Sequence, residues 1–229
     1  MDFFQIIKNI GDIMAKYWKV FLIEGVSNTL ILTCIAVSLG AILGTLVAIM
    51  KMSHFAPLRF IVTAYVEIIR GTPILLQLYI FYFCLPQMLP FLKLSAFMWV
   101  AIAMCVNSSA YVSEVIRSGI QAVDKGQTEA ARSLGLSAGQ TMVKVVLPQA
   151  IKNILPAIAN EFVTIIKESA ICYTIGVQDI MSAVNAVKGA TYRTGEALII
   201  ATVLYFCLTF PTSKIIAYFE RRMSRGDRR

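Results

Sequence analysis

Glu67, Arg70 and Gln77 stand in one long apolar run, at spacings of three and seven that set them near one helical face. A second apolar run carries Asn107, Tyr111, Glu114 and Ser118 on a single stripe. A third carries Asn160, Glu161, Thr164, Lys167 and Glu168 towards its end. Ionisable groups in an apolar medium are costly unless paired or wet, so each of these side chains calls for a role. Two readings stand. In one, the charges only pair: Glu67 and Arg70 have the i,i+3 spacing of an ion pair, and Glu114 and Arg117 are available to join them between helices. In the other, they line a site for a polar, charged ligand. The triplet Gly71-Thr72-Pro73 interrupts the helix just past Arg70 and frees backbone groups that can face a cavity. Covalent or metal chemistry has no foothold. The single histidine, His54, sits in a short polar turn, and Cys34, Cys84, Cys105, Cys172 and Cys207 are scattered without a CxxC. No HExxH occurs, and neither a catalytic nor a metal site is expected.

Such residues need elements that hold them inside an apolar layer. Of 229 residues, 58% are hydrophobic and 15% charged, and the mean hydropathy is +0.72. Soluble domains carry roughly 25% charged residues, so composition points to an integral membrane protein. The net charge of +8 lies mainly between apolar runs and at the C-terminus, where membrane topology rather than nucleic acid accounts for it. Five runs reach the length of about 20 residues that a bilayer requires: 20–50, 58–86, 95–119, 149–168 and 196–219. Before them, Phe3, Ile7, Ile10, Met14 and Tyr17 recur at helical spacing among Lys8, Asp12, Lys16 and Lys19. Residues 1–19 therefore read as an amphipathic interfacial helix or as a lead-in to the first span. A single transmembrane domain follows over 20–219, with a basic tail at 220–229. Gly40, Gly44 and Ala48 suit close helix packing. Residues 169–194 read as a short amphipathic piece built on Val177, Ile180, Met181, Val184 and Val187. Lys51, Lys125, Arg132, Lys144, Lys214, Arg221, Arg222, Arg225, Arg228 and Arg229 fall on one side of the spans, which the positive-inside rule makes cytoplasmic. The N-terminus is then outside and the C-terminus inside.

Between the third and fourth runs lies TEAARSLGLSAGQTMVKVVLP, residues 128–148. Asp124, with Gln127 three residues on, is placed to cap a helix that reaches about Leu134. Gly135 suits the left-handed residue that ends it. Ser137 with Gln140 starts a second helix, and Pro148 is expected to bend or stop the chain as it re-enters the membrane. The expectation is a stiff helix–Gly–helix elbow over 124–148, either a surface feature without a partner or an element that transmits a push.

This stretch resembles the EAA signature of bacterial ABC importer permeases. Glu129, Ala130, Ala131, Gly135, Leu147 and Pro148 fall in register, with Val145 in place of Ile. VEIIRGTPILLQLYIFYFCLP (66–86), NSSAYVSEVIRSGIQAV (107–123) and NEFVTIIKESAI (160–171) are similar to the polar amino-acid uptake permeases, and the resemblance covers nearly the whole chain. It implies an all-α integral membrane protein of the type I importer permease fold, with five transmembrane helices and a cytoplasmic coupling helix. It implies further subunits: an ABC ATPase in two copies, a second permease chain (homodimer or paralogous heterodimer), and an extracytoplasmic amino-acid-binding protein. ATP and Mg would be bound by the ATPase. This chain has no GxxxxGK[ST] motif and is expected to be neither an enzyme nor the holder of a cofactor. The location implied is the bacterial inner membrane. For a zwitterionic amino acid the site needs an anion for the ammonium and donors for the carboxylate. Glu161 is the candidate for the ammonium or a cationic side chain, with Arg70 and Gln77 near the carboxylate. Glu67, Asn107 and Glu114 are further candidates. The competing class is a self-sufficient ion-coupled secondary transporter with Glu114 or Glu161 as proton relay. Five spans do not divide into paired inverted repeats, which disfavours it.

Overall fold

A computed structural model describes residues 3–224. Arg225, Arg228 and Arg229 of the expected basic tail lie outside the described residues. Every regular element among those described is helical, which is how a chain satisfies its own backbone where no water can. Helix α1 (Phe3–Trp18) runs through a π-helical stretch, Lys19–Val26, into α2 (Ser27–Lys51). Phe4–Lys51 forms one continuous helix of 48 residues, so no break sets the amphipathic stretch apart from the first span.

Helix α3 (Ala56–Gly71) stops at the expected triplet. Thr72 is extended (φ −118°, ψ 148°) because the ring of the following proline excludes the helical conformation. The Pro73 carbonyl then accepts the N–H groups of Leu76 at 3.0 Å and Gln77 at 3.2 Å, and a new helix starts. It comprises α4 (Ile74–Tyr79), a π turn at Ile80–Cys84 and α5 (Leu85–Met88). After it come α6 (Ala96–Gln121), α7 (Lys125–Ser133), α8 (Ala138–Thr141), α9 (Leu147–Glu168), α10 (Ile180–Thr191) and α11 (Thr194–Ser224). Among the described residues four helices are long and apolar enough to cross a membrane, and α3 with α4 and α5 makes a fifth as one bent pair.

The described residues fall into two compact units. The first takes residues up to Ala36, Pro73–Cys105 and Phe162–Thr212. Its core joins Ile13 and Phe21 to Ile180, Val184 and Val187 of α10 and to Ala197, Ile200 and Ala201 of α11. Positions 180, 184 and 187 form the apolar stripe of an amphipathic helix. A capping box starts that helix: Ser182 N–H donates to the Asp179 carboxylate at 2.7 Å, and Asp179 N–H donates to the Ser182 hydroxyl at 3.2 Å. Glu196, buried near the start of α11, accepts from Asn9 Nδ2 at 2.8 Å and so is not an orphan.

The second unit takes Val37–Thr72, Val106–Glu161 and the chain from Ser213. Val47 packs with Val62 and Val66. Tyr65 Oη donates to the Val106 carbonyl at 2.9 Å and lies 2.6 Å from Ser109 Oγ. Two glycines permit close helix approach. A Cβ on Gly44 would lie 2.8 Å from the Ser109 carbonyl oxygen, and one on Gly119 would lie 2.4 Å from Ile154 Cγ1. Large apolar side chains face outward, with Phe60 75% and Ile42 60% exposed. That surface suits acyl chains or a partner helix rather than water.

Candidate functional site

Glu114, halfway along the polar stripe of α6, gathers three cations in the second unit. Lys51 Nζ donates to Oε1 at 2.5 Å. Arg117, one turn on, donates through Nε at 3.1 Å to both oxygens and through Nη2 at 2.8 Å. Arg70 Nη1 comes within 3.6 Å of Oε2, and its guanidinium lies 5.5 Å from the centre of the Tyr111 ring. The carboxylate side chain is only 14% exposed, so its charge is held where it is poorly hydrated and three partners offset the cost. The i,i+3 pair expected of Arg70 is replaced by this contact across helices. Glu67 is exposed and near enough to Arg117 to attract it. A fixed spacing on one helix offers a pair, but the neighbouring helix offered Arg70 a less hydrated carboxylate.

The remaining candidates are distributed. Asn107, 4% exposed on α6, and Glu161, half-buried on α9, belong to the second unit. Gln77, 5% exposed on α4, belongs to the first. All three have polar or electrostatic partners within the chain. Lys51 was read from the sequence only as a topology charge; its role in the cluster comes from a contact 63 residues away in the chain.

The elbow is built as two side-chain-capped turns, of which the second is reciprocally capped. The Asp124 carboxylate accepts from Gly126 N–H at 2.6 Å, one position closer than the partner expected at Gln127. Leu134 is the C-cap of helix α7, and Gly135 takes φ +87°. Gly135 N–H donates to the Arg132 carbonyl at 3.0 Å and Leu136 N–H to that of Ala131 at 3.2 Å, the bond pair of a Schellman stop. Ser137 and Gln140 then form the expected capping box, with Gln140 N–H donating to Ser137 Oγ at 3.3 Å and Ser137 N–H to Gln140 Oε1 at 2.9 Å. Ala131 is buried, Glu129 and Ala130 are exposed, and Leu134 presents an apolar side chain 83% exposed.

Pro148 does not stop the chain. A single helix runs from Ala138 to Ile175. A π turn, Met142–Val146, precedes the proline, and Leu147 N–H reaches back to the Met142 carbonyl. Gln149 Nε2 also donates to the Val145 carbonyl at 3.0 Å. The lengthened turn changes the hydrogen-bond register and so absorbs the N–H that proline lacks. The second arm of the elbow is therefore the first part of the fourth span.

Asp179, in the first unit, escaped sequence reading. It is 1% exposed. One oxygen caps α10, and the other is buried beside the Tyr205 phenol. Burial pushes this carboxyl up to about 6, with the N–H groups of Ser182 and Met181 pulling the other way. The signal was the Asp-x-x-Ser cap in an apolar stretch.

Residues 36–225 match the family described as the binding-protein-dependent transport system inner membrane component. The arginine transport system permease protein ArtQ of Bacillus subtilis is 44% identical over 207 residues, covering 90% of this chain and 94% of its own. A Rickettsia conorii protein named for glutamine transport (GlnP) is 44% identical over 203 residues, covering 89% and 93%. Among solved structures, that of an amino acid ABC transporter with histidines superposes with a TM-score of 0.88 at 44% identity, covering 97% of this chain and 99% of that one. The MetNI methionine ABC transporter shares the fold, with a TM-score of 0.64 at 20% identity.

Proposed function

Since the chain belongs to the family of binding-protein-dependent transport system inner membrane components, we propose that it forms the pathway for a polar or cationic amino acid. It is a multi-pass inner-membrane permease subunit of an ABC importer, and ATP hydrolysis falls to a separate subunit. Arginine and glutamine, which relatives are named for, set the cargo class: an α-amino acid with a cationic or amide side chain. The observation that carries the reading is the elbow. Glu129, Ala130, Ala131, Gly135, Leu147 and Pro148 ride on a turn capped at both starts and closed by a Schellman stop, with Leu134 exposed for a partner to cover. A connector of that stiffness transmits displacement from an ATPase to the helices fused to it.

Two ATPase copies seat the elbows of two permease chains, identical or paralogous, and an extracytoplasmic binding protein loads the opposite face. Lys125, Arg132 and Lys144 favour a cytoplasmic elbow, with the N-terminus outside and the C-terminus inside. Within the second unit, Glu161 receives the ammonium or a cationic side chain, and Arg70 donates to the carboxylate. Asn107 and Glu67 add polar contacts. Glu114 already pairs with Lys51, Arg70 and Arg117, so its part is to hold Arg70 in place.

The test is transport by the assembled complex. Glu161→Gln, reconstituted with ATPase and binding protein, is expected to weaken amino-acid-stimulated ATP hydrolysis at least about tenfold, the scale of one lost charge-assisted bond. Unchanged apparent affinity would remove Glu161 from the site.

A further inference from the structure

A cleft of about 710 Å³ lies behind the elbow in the second unit. Its wall is Ile120, Val123, Met142 and Val146, and its lip carries Lys125 and Arg132. Among the described residues no acidic side chain lines it. Thr141 also lines the cleft; it is 2% exposed, and its hydroxyl oxygen has no hydrogen-bond partner among the described residues. Ile120 and Gln121 end one membrane-crossing helix, and Met142 and Val146 lie in the first turns of another, so the cleft sits where the elbow joins those two helices.

An apolar wall, two cations and an unsatisfied hydroxyl at that level match one ligand chemistry: an anion joined to a hydrocarbon body. The volume is within the range of about 300–1,000 Å³ typical of ligand sites. A free phosphate would use the cations and leave the wall bare. We propose that the cleft binds an acidic phospholipid of the adjoining leaflet, with its phosphate between Lys125, Arg132 and Thr141 and its acyl chain along Ile120, Met142 and Val146. Arg132 already donates one N–H to the Leu136 carbonyl at 2.7 Å, which fixes the guanidinium at the lip and leaves its other donors for the phosphate. A lipid seated there braces α7 against the two spans, so the stiffness of the elbow depends on membrane composition. The proposal rests on the elbow facing the membrane surface as the importer reading has it, but not on the identity of the cargo.

The test uses the permease–ATPase complex, purified, delipidated and titrated with phosphatidylglycerol or phosphatidylcholine of identical chains, with bound lipid counted by native mass spectrometry. Phosphatidylglycerol is expected to bind about tenfold more tightly, a preference that two basic residues near an anionic headgroup supply. Lys125→Gln and the near-isosteric Thr141→Val should each erase most of that preference, and inorganic phosphate at the same concentration should not displace the lipid. Equal binding of both lipids, a preference untouched in both variants, or displacement by phosphate would each overturn the proposal. Exclusion of lipid whenever the ATPase is bound would do so as well, by making the cleft a protein contact. ATPase retention, read in the same spectra, separates these outcomes from a failure of the importer reading itself.

Discussion

Glu114 shows what one carboxylate does when three cations converge on it. Replacing it by Gln leaves Lys51, 11% exposed, beside Arg70 and Arg117 with no carboxylate between them. The expected cost is about 2 kcal/mol, seen as a fall of about 4–8 °C in the apparent Tm of the complex. An unchanged Tm would mean that the cluster is solvated and without structural weight. Asp179 behaves differently. Its carboxyl titrates near 6 in the folded chain against about 4 when unfolded. The folded state then binds more protons between those values, so stability falls as pH rises from about 4 to about 6 and is level above. Tyr205 and Cys172 are the titratable groups that face it. Asp179→Asn keeps an oxygen for the Ser182 N–H and removes the ionisation. It should flatten the Tm profile over that window and raise stability at neutral pH by at most about 3 kcal/mol; an equally steep profile in the variant would contradict the assignment. At this scale the sequence disclosed which residues were out of place, including the Glu114–Arg117 turn. It did not disclose that Lys51 and Arg70 would meet Glu114, because spacing along one helix says nothing about the neighbour.

Gly135 sits at φ +87°, a conformation that a β-branched side chain resists, and Gly135→Val should cost about 1–2 kcal/mol locally. The elbow would then lose its Schellman stop, and the measurable result is weaker co-purification of the ATPase with the permease still folded. Retained ATPase binding would show that the turn does not position the contact. Gly44→Leu tests packing instead: any Cβ there meets the Ser109 carbonyl at 2.8 Å, so the variant should lower the yield of folded permease. The break at 71–73, the capped starts and the glycine stop were readable, because each depends on local backbone chemistry. The passage through Pro148 was not. Whether a proline ends a helix depends on where its orphaned carbonyl finds a donor, and the π turn at Met142–Val146 is settled by the long helix around it.

For the whole molecule, four long apolar helices and one bent pair agree with the five runs seen in composition, since a bilayer imposes length on every crossing segment. The division of α2, α6, α9 and α11 between two compact units was not visible in the sequence. Contacts far apart in the chain decide it, and apolar runs that all look alike do not encode them. The central claim is that this chain moves an amino acid only when a partner hydrolyses ATP. Proteoliposomes holding the chain alone, the chain with its ATPase, and the chain with both ATPase and binding protein should be compared for uptake of labelled arginine and glutamine, with internal ATP and with an imposed proton gradient. The account predicts accumulation in the third preparation alone and only with ATP. Uptake by the chain alone, driven by the proton gradient, would contradict it.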